Sequence, residues 1–338
     1  MKAMLLDRVT SVATDDAPLR AAEIPKPVPA DKEILIAVST CGVCHTELDE
    51  IEGRTTPASL PVVPGHEVVG YIESIGQSVR RFRPGDRVGV GWIHSSDGSD
   101  DENLSPAFRA TGRDVNGGYA EFMTVGEDYA YPIPDIFSDE EAAPLLCAGA
   151  IGYRALRLCE LKNGDRLGLT GFGGSAHLVL QLARHLYPDS PVYVFARDAA
   201  SRQFAAELGA DWTGPTDARA PNVCHAIIDT TPAWTPIVSA LSNLAPGGRL
   251  MINAIRKEDS DKSILERLSY QKHLWMEREI KSVANICSRD IAEFLPIAAA
   301  IPIRPDVSLY TLEDANQALI SLKRESVRGA KVLLVGKT

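Results

Sequence analysis

Arg166-Leu167-Gly168-Leu169-Thr170-Gly171-Phe172-Gly173-Gly174-Ser175-Ala176 sets the architecture of this chain. It reads as a strand over 166–170, a glycine loop over 171–176 and a helix running to about Tyr187, followed by a second strand over 192–196. Glycines in such a loop let the backbone approach a pyrophosphate, whose charge then sits at the helix N-terminus. A lone Gly-x-Gly-x-x-Gly is weak evidence, and this copy ends in Ala176. Its place inside a strand–loop–helix–strand unit is what strengthens it. Gly171, Phe172, Gly173, Gly174, Ser175 and Ala176 are therefore the candidate dinucleotide contacts. An acid ending the next strand would bind the adenosine ribose and favour NAD. Here the strand ends Phe195-Ala196-Arg197-Asp198. A small residue, Ala196, followed by Arg197 favours a 2′-phosphate and hence NADP over NAD, while Asp198 one step later keeps NAD open.

Beyond this unit the alternation continues through 201–208, 226–229, 236–244 and 249–253, which implies a parallel sheet wound on both faces. Toward the N-terminus the style differs. Residues 1 to about 90 read as short strands separated by Pro and Gly: an apolar run over 34–39, segments 62–65 and 68–72 flanking His66-Glu67, and 86–90 after a Pro-Gly turn. Many short strands with frequent turn signals suggest a compact barrel-like β domain, and 117–122 continues it. The segment 97–102 is acidic, contains glycine and reads as a solvated loop. Asp139-Glu140-Glu141-Ala142-Ala143 opens like a helix with an acidic first turn. The tail from about Ile291 is of mixed character and ends in a strand over 330–335 that would rejoin the first domain.

The 338 residues suffice for two domains with ample core. A net charge of −10 without a block of Lys and Arg argues against nucleic acid as a partner. No apolar run approaches the ~18–20 residues of a bilayer span, and Met1 to Asp7 begins like a strand rather than a signal peptide. Six cysteines in a chain this long do not form a disulfide framework. The expectation is a soluble, cytoplasmic protein with no membrane partner, its thiolates free to bind metal.

Those thiols gain meaning through Cys41-Gly42-Val43-Cys44-His45-Thr46. A Cys-x-x-Cys alone fits half a zinc site, a redox pair or two small buried side chains. Gly65-His66-Glu67 follows about twenty residues on, and Cys147 lies in the apolar run Pro144-Leu145-Leu146-Cys147. Thiolates, an imidazole and a carboxylate suit Zn²⁺. Ligands scattered over more than a hundred residues suit a catalytic site held by a scaffold, since structural zinc sites usually pair their ligands closely. Spacing leaves open which cysteine of the pair binds. Cys159, Cys224 and Cys287 lack ligand-like neighbours and read as packing residues.

Together these features resemble the zinc-containing medium-chain dehydrogenase/reductase family, in particular zinc-dependent alcohol dehydrogenases of the bacterial and yeast-like kind, over essentially the whole chain. The resemblance implies an α/β architecture: a GroES-like, mostly-β catalytic domain over 1–149 and 288–338, and a Rossmann NAD(P)-binding domain over 150–287. It places the metal ligands on Cys44, His66 and Cys147, with Glu67 as the carboxylate that exchanges with water at the metal. Thr46 matches the hydroxyl that contacts the alcohol oxygen and starts the proton relay. His45 and Arg328 match positions near the cofactor pyrophosphate. The relay often ends on a His five residues after the ligand cysteine, and here that residue is Asp49. A second, structural zinc would need four cysteines after Trp92, yet 93–112 contains none and Glu102-Asn103-Leu104-Ser105 carries Ser where the pattern has Cys. One catalytic zinc per chain is expected.

The implied reaction moves a hydride between a small alcohol, or an aldehyde or ketone in reverse, and NAD(P). The pocket would be lined by Thr46, Trp92 and residues near Cys147, with Trp92 favouring slim or aromatic primary alcohols. By the same resemblance the chain would form a homodimer or homotetramer, pairing through the strand that holds 248–253. Two other readings are a zinc-free medium-chain quinone or enoyl reductase and a non-catalytic cofactor-binding relative. Neither has a use for Cys44, His66, Glu67 and Cys147 together.

Overall fold

The structure, a computed structural model, describes residues 1–301, 303–324 and 328–336. The chain divides into two compact units, Met1–Ala150 with Asn285–Thr338, and Ile151–Ala284.

The first unit is built on the strand Glu33–Val43, whose Ile34, Ile36, Val38 and Cys41 are buried. β-Branched side chains fill a pleated surface well, which is why this run holds the centre of the sheet. It pairs antiparallel with Val68–Ile75, with Phe122–Gly126 and with Ala330–Leu334. Val307–Thr311, Arg87–Val90 and Tyr131–Pro132 complete the seven strands. The register sets Cys41 opposite Val68. Because the strands run in opposite directions, the residues after Val43 and the residues before Val68 emerge at the same end of the sheet. Cys44 and the His66-Glu67 pair are brought together by this register alone. The 3₁₀ turn Ala143–Leu146 packs on the same sheet, with all four residues buried, and presents Cys147 at its end.

The acidic stretch is less solvated than its composition predicts. Asp97 to Asp101 are exposed, but Glu102 and Asn103 are buried in a 3₁₀ turn. Glu102 accepts hydrogen bonds from Tyr129 Oη at 3.1 Å and from the Ser288 backbone N–H at 2.6 Å. Asn103 accepts from Asn285 Nδ2 and from Cys287 Sγ. A buried carboxylate with such partners anchors this lobe to the N-terminus of the helix Ser288–Ala300.

The second unit holds six parallel strands in the order Trp212–Gly214, Val192–Phe195, Leu167–Thr170, Cys224–Asp229, Leu244–Ile252, Glu279–Ser282. The two strands flanking the glycine loop's helix, Leu167–Thr170 and Val192–Phe195, are buried throughout, as strands covered on both faces are. Helices Ala176–Leu186, Ala199–Glu207 and Thr235–Asn243 make the connections. The chain starts in the middle of the sheet, runs outward through 192–195 and 212–214, and then resumes on the other side with 224–229. This is the doubly wound arrangement.

One expectation is corrected. The strand holding 248–253 lies inside the sheet, between Cys224–Asp229 and Glu279–Ser282. It has no open edge through which a second copy could add, and the edge belongs to Glu279–Ser282, all four residues of which are exposed.

Candidate metal centre and dinucleotide loop

Cys44 caps the short helix His45–Ile51 in extended conformation. Its backbone N–H donates to Glu47 Oε2 at 2.7 Å, and Glu47 Oε1 meets His66 Nδ1 at 2.5 Å. One buried carboxylate thus ties the helix start to the imidazole. An Nδ1–H held by a carboxylate leaves Nε2 with its lone pair, the tautomer a metal requires. His66 Nε2 is buried and makes no hydrogen bond among the described residues. Around it, Cys44, His66, Glu67 and Cys147 place one donor atom each within 4.8 Å of one another. A buried acceptor without a donor, beside two thiols and a carboxyl, is costly unless a cation shares the space. The donor set fits zinc.

The four groups shift one another's protonation. Cys44 lies well below the ordinary thiol range, chiefly because Cys147 donates a hydrogen bond to it, with His66 adding to the effect. Cys147, the donor, is pushed well up by that same bond and by burial. Burial, then the charge on Cys44, raises Glu67 well above the carboxylate range. For His66, burial opposes a charge, but Glu47 and Cys44 together outweigh it and hold the imidazole well above its usual value. The two thiols and the carboxyl compete for protons because their negative charge is crowded and shielded from water.

The structure separates the two cysteines that spacing could not. Cys41 is fully buried in the hydrophobic core, where burial pushes its thiol well up. Cys44 faces the cluster. Thr46, on the first turn of the helix, brings Oγ1 to 3.6 Å from Cys44 Sγ. The Trp92 ring centre is 6.2 Å from that of His66, backed by Phe108 at 5.7 Å and by the Arg113 guanidinium at 5.3 Å. Next to it Glu50 is buried, and neither of its carboxylate oxygens meets a hydrogen-bond donor among the described residues. Burial and the neighbouring Glu47 raise Glu50 well above the carboxylate range.

In the second unit Gly171 turns the chain at φ +77°, where a Cβ would lie 2.9 Å from Thr230 Oγ1 and from Thr231 Cγ2. A Cβ at Gly173 would meet nothing within 4 Å, so the loop is open there. Phe172 is buried edge-on against Phe204, and Ala176 is fully buried at the helix start. Ser175 Oγ accepts from Asn253 Nδ2 at 3.4 Å. Ala196 is buried and Arg197 exposed. Asp198 caps the helix Ala199–Glu207, accepting from the Ser201 N–H at 2.7 Å and the Ser201 hydroxyl at 2.8 Å. Its carboxylate is engaged within the protein rather than offered at the strand end.

Residues 30–135 match the alcohol dehydrogenase GroES-like domain. A protein of Mycobacterium tuberculosis described as "probable alcohol dehydrogenase AdhA" is 40% identical over 332 residues, which cover 95% of this chain and 94% of that one. The chain belongs to the zinc-type medium-chain dehydrogenase/reductase family. An alcohol dehydrogenase of Geobacillus stearothermophilus is 31% identical over 94% of the chain and 96% of its own length. A solved cinnamyl alcohol dehydrogenase of Sorghum bicolor superposes with a TM-score of 0.84 at 25% identity, covering 98% of this chain and 97% of that one. The GroES-like and Rossmann architecture follows, and the relatives support an oxidoreductase with alcohol dehydrogenase activity.

In this medium-chain dehydrogenase the remaining expected residues are more dispersed. Asp49 is buried on the helix that carries Thr46, its Oδ1 accepting from Arg54 Nε at 2.6 Å. His45 is exposed at the start of that helix. Arg328 is exposed and donates to Asp306 at 2.8 Å. Both lie in the first unit, and the glycine loop lies in the second. Sequence reading missed Glu47. Its signal was present as a helix start followed three residues later by Glu, a capping-box pattern that reads as local structure until His66 is seen against it.

Proposed function

We propose that this chain is a zinc-dependent alcohol dehydrogenase that transfers a hydride between a primary alcohol and NADP(H). The single observation carrying this reading is the four-donor cluster around His66 Nε2, with Glu47 fixing the tautomer. Cys44, His66 and Cys147 would hold the metal, and Glu67 would be the exchangeable fourth donor. When bound, zinc supplies Lewis-acid polarisation of the alcohol or carbonyl oxygen, while the nicotinamide carries the hydride. The chain's own part is to bind, orient and move the proton. The Thr46 hydroxyl, beside Cys44, orients the substrate oxygen and relays its proton, accepting it while passing its own on toward water. Asp49 lies one turn further along the same helix face, and its partner Arg54 is 35% exposed, so the pair leads from a buried hydroxyl toward water. The first unit would supply this chemistry, and the second the dinucleotide site.

NADP is favoured because the Ala196-Arg197 corner offers a cation and no free carboxylate, Asp198 being spent on its cap. The six cysteines are unpaired, which fits a reducing compartment such as the cytoplasm. No described helix is long and apolar enough to cross a membrane.

The deciding experiment is elemental analysis of chelator-free protein, followed by chelation, zinc readdition and assays with both cofactors. One zinc per chain, activity that tracks it, and kcat/KM at least about tenfold higher with NADP⁺ than with NAD⁺ are expected, a difference of roughly 1.4 kcal/mol. Two zincs would overturn the metal-free reading of the 93–112 lobe. No zinc with reductase activity intact would move the chain to the zinc-free reductases.

We also propose a homodimer formed across the exposed strand Glu279–Ser282, beside which Trp275 and Met276 are about half exposed. An open parallel edge with apolar neighbours is a surface that a second copy covers by two-fold pairing. Sedimentation equilibrium is expected to give twice the chain mass, and Ile280→Glu half of that. A one-chain mass for the unaltered protein at micromolar concentration would dismiss the dimer.

A further inference from the structure

The floor of the proposed dinucleotide crevice holds a buried ion pair. Thr170 and Asp229 are the last residues of two neighbouring strands and stand opposite each other in register. Between these strands the strand order reverses, and ligands of doubly wound sheets bind outside the strand ends at that point. Asp229 is fully buried. Its Oδ1 accepts from Thr170 Oγ1 at 2.5 Å and from Thr231 Oγ1 at 2.8 Å, and its Oδ2 accepts from Lys257 Nζ. Lys257 Nζ also donates to the carbonyls of Thr231 at 2.6 Å and Ala233 at 3.1 Å. An ammonium has three N–H donors, and all three point inward.

We propose that Lys257 is a charge-compensating positioning residue for the dinucleotide, acting through Asp229 and the 230–233 segment and not by touching the ligand. The inference rests on the dinucleotide reading above. Gly171, first residue of the glycine loop, directly follows Thr170 and abuts Thr230 and Thr231. The Asp229 carboxylate therefore stands one residue from the loop that would cradle two phosphates. Unpaired, it would repel them through a poorly screened interior. Paired with Lys257 it carries no net charge, and its oxygens remain available to order Thr170 and Thr231. The Asn253 N–H donates to the Asp229 carbonyl and the Glu258 N–H to that of Pro232, both at 2.7 Å, so the segment carrying Lys257 is fastened over the same strand end.

The test is NADPH titration by fluorescence on the full-length, zinc-loaded protein, at about 0.05 and 0.5 M sodium chloride, where screening differs several-fold in length. Lys257→Met is expected to raise Kd at least about tenfold at both salt concentrations, because a buried charge is little screened by mobile ions. Lys257→Met with Asp229→Asn should return Kd to within about threefold of the unaltered protein, and Asp229→Asn alone should bind as tightly or more tightly. If Lys257→Met does not fold, the double variant and Asp229→Asn still carry the test. Unchanged affinity in Lys257→Met, or tenfold weakening in Asp229→Asn, overturns the proposal. So does a double variant as weak as the single one, which would mean packing alone. Unaltered protein that binds no NADPH overturns the dinucleotide reading itself, a different failure.

Discussion

Cys44→Ser is expected to yield folded protein that copurifies with little zinc and turns over on the order of a thousandfold more slowly, the scale of several kcal/mol of lost charge stabilisation. Serine keeps the shape of the cap but replaces a soft, readily ionised thiol by a hydroxyl that stays protonated. Cys44 offers one of the two thiols among the four donor side chains, so its loss leaves Cys147 as the lone sulfur in the set. His66→Ala is expected to be as damaging and structurally less clean. It removes the metal-facing nitrogen and leaves Glu47 Oε1, fully buried, without its donor, a loss of about 1–3 kcal/mol. Zinc content, turnover and NADPH affinity measured on both proteins separate the effects. Dinucleotide affinity should stay within about threefold, since the glycine loop belongs to the other unit. A Cys44→Ser protein with full zinc and full turnover would remove the metal from the mechanism.

Gly42→Ala is expected to disable the same centre without touching a ligand. A Cβ there would lie 1.8 Å from Glu67 Oε2 and 2.8 Å from Glu67 Cβ. Because the clash reaches Glu67 Cβ as well as the carboxylate tip, rotating the tip away does not relieve it. The strand is fixed on both sides, the Gly42 N–H donating to the Glu67 carbonyl at 2.9 Å and the Gly42 carbonyl accepting from the buried Tyr119 hydroxyl. Overpacking at such a site costs about 1–3 kcal/mol, and the expected outcome is a lower unfolding midpoint together with weakened zinc retention. An unaltered midpoint and zinc content would show that the strand yields more easily than its hydrogen bonds imply.

Much of the architecture was legible because the chain changes its periodicity where its fold changes. The switch from short turn-punctuated strands to strand–loop–helix alternation is visible around Gly171, and the ligand types are visible in the Cys41/Cys44 pair, His66, Glu67 and Cys147, with the choice of Cys44 supplied by the family resemblance. What stayed hidden depends on register and on partners. Glu279–Ser282 is short, exposed and half charged, so nothing in its composition announces an edge strand. The helix Ser288–Ala300 contains Pro296, which reads as a breaker. Glu102 stands among acids and looks solvated until Ser288 is placed against it. Asp198 looks available for a ribose until Ser201 is seen to hold it. In each case the chemistry of the residue was plain and its commitment was not.

The lobe over 93–112 is closed by the Glu102 carboxylate, and it contains neither cysteine nor methionine. Its own residues therefore offer no sulfur to peroxide or to a metal, and the sulfur that touches it is that of Cys287, whose thiol donates to Asn103 and to the Asp100 carbonyl. Under the zinc reading proposed above, zinc starvation would empty the Cys44–Cys147 cluster and silence the chain while the hydrogen bonds of Glu102 stayed in place, so that restoring metal would revive the protein without a round of refolding there.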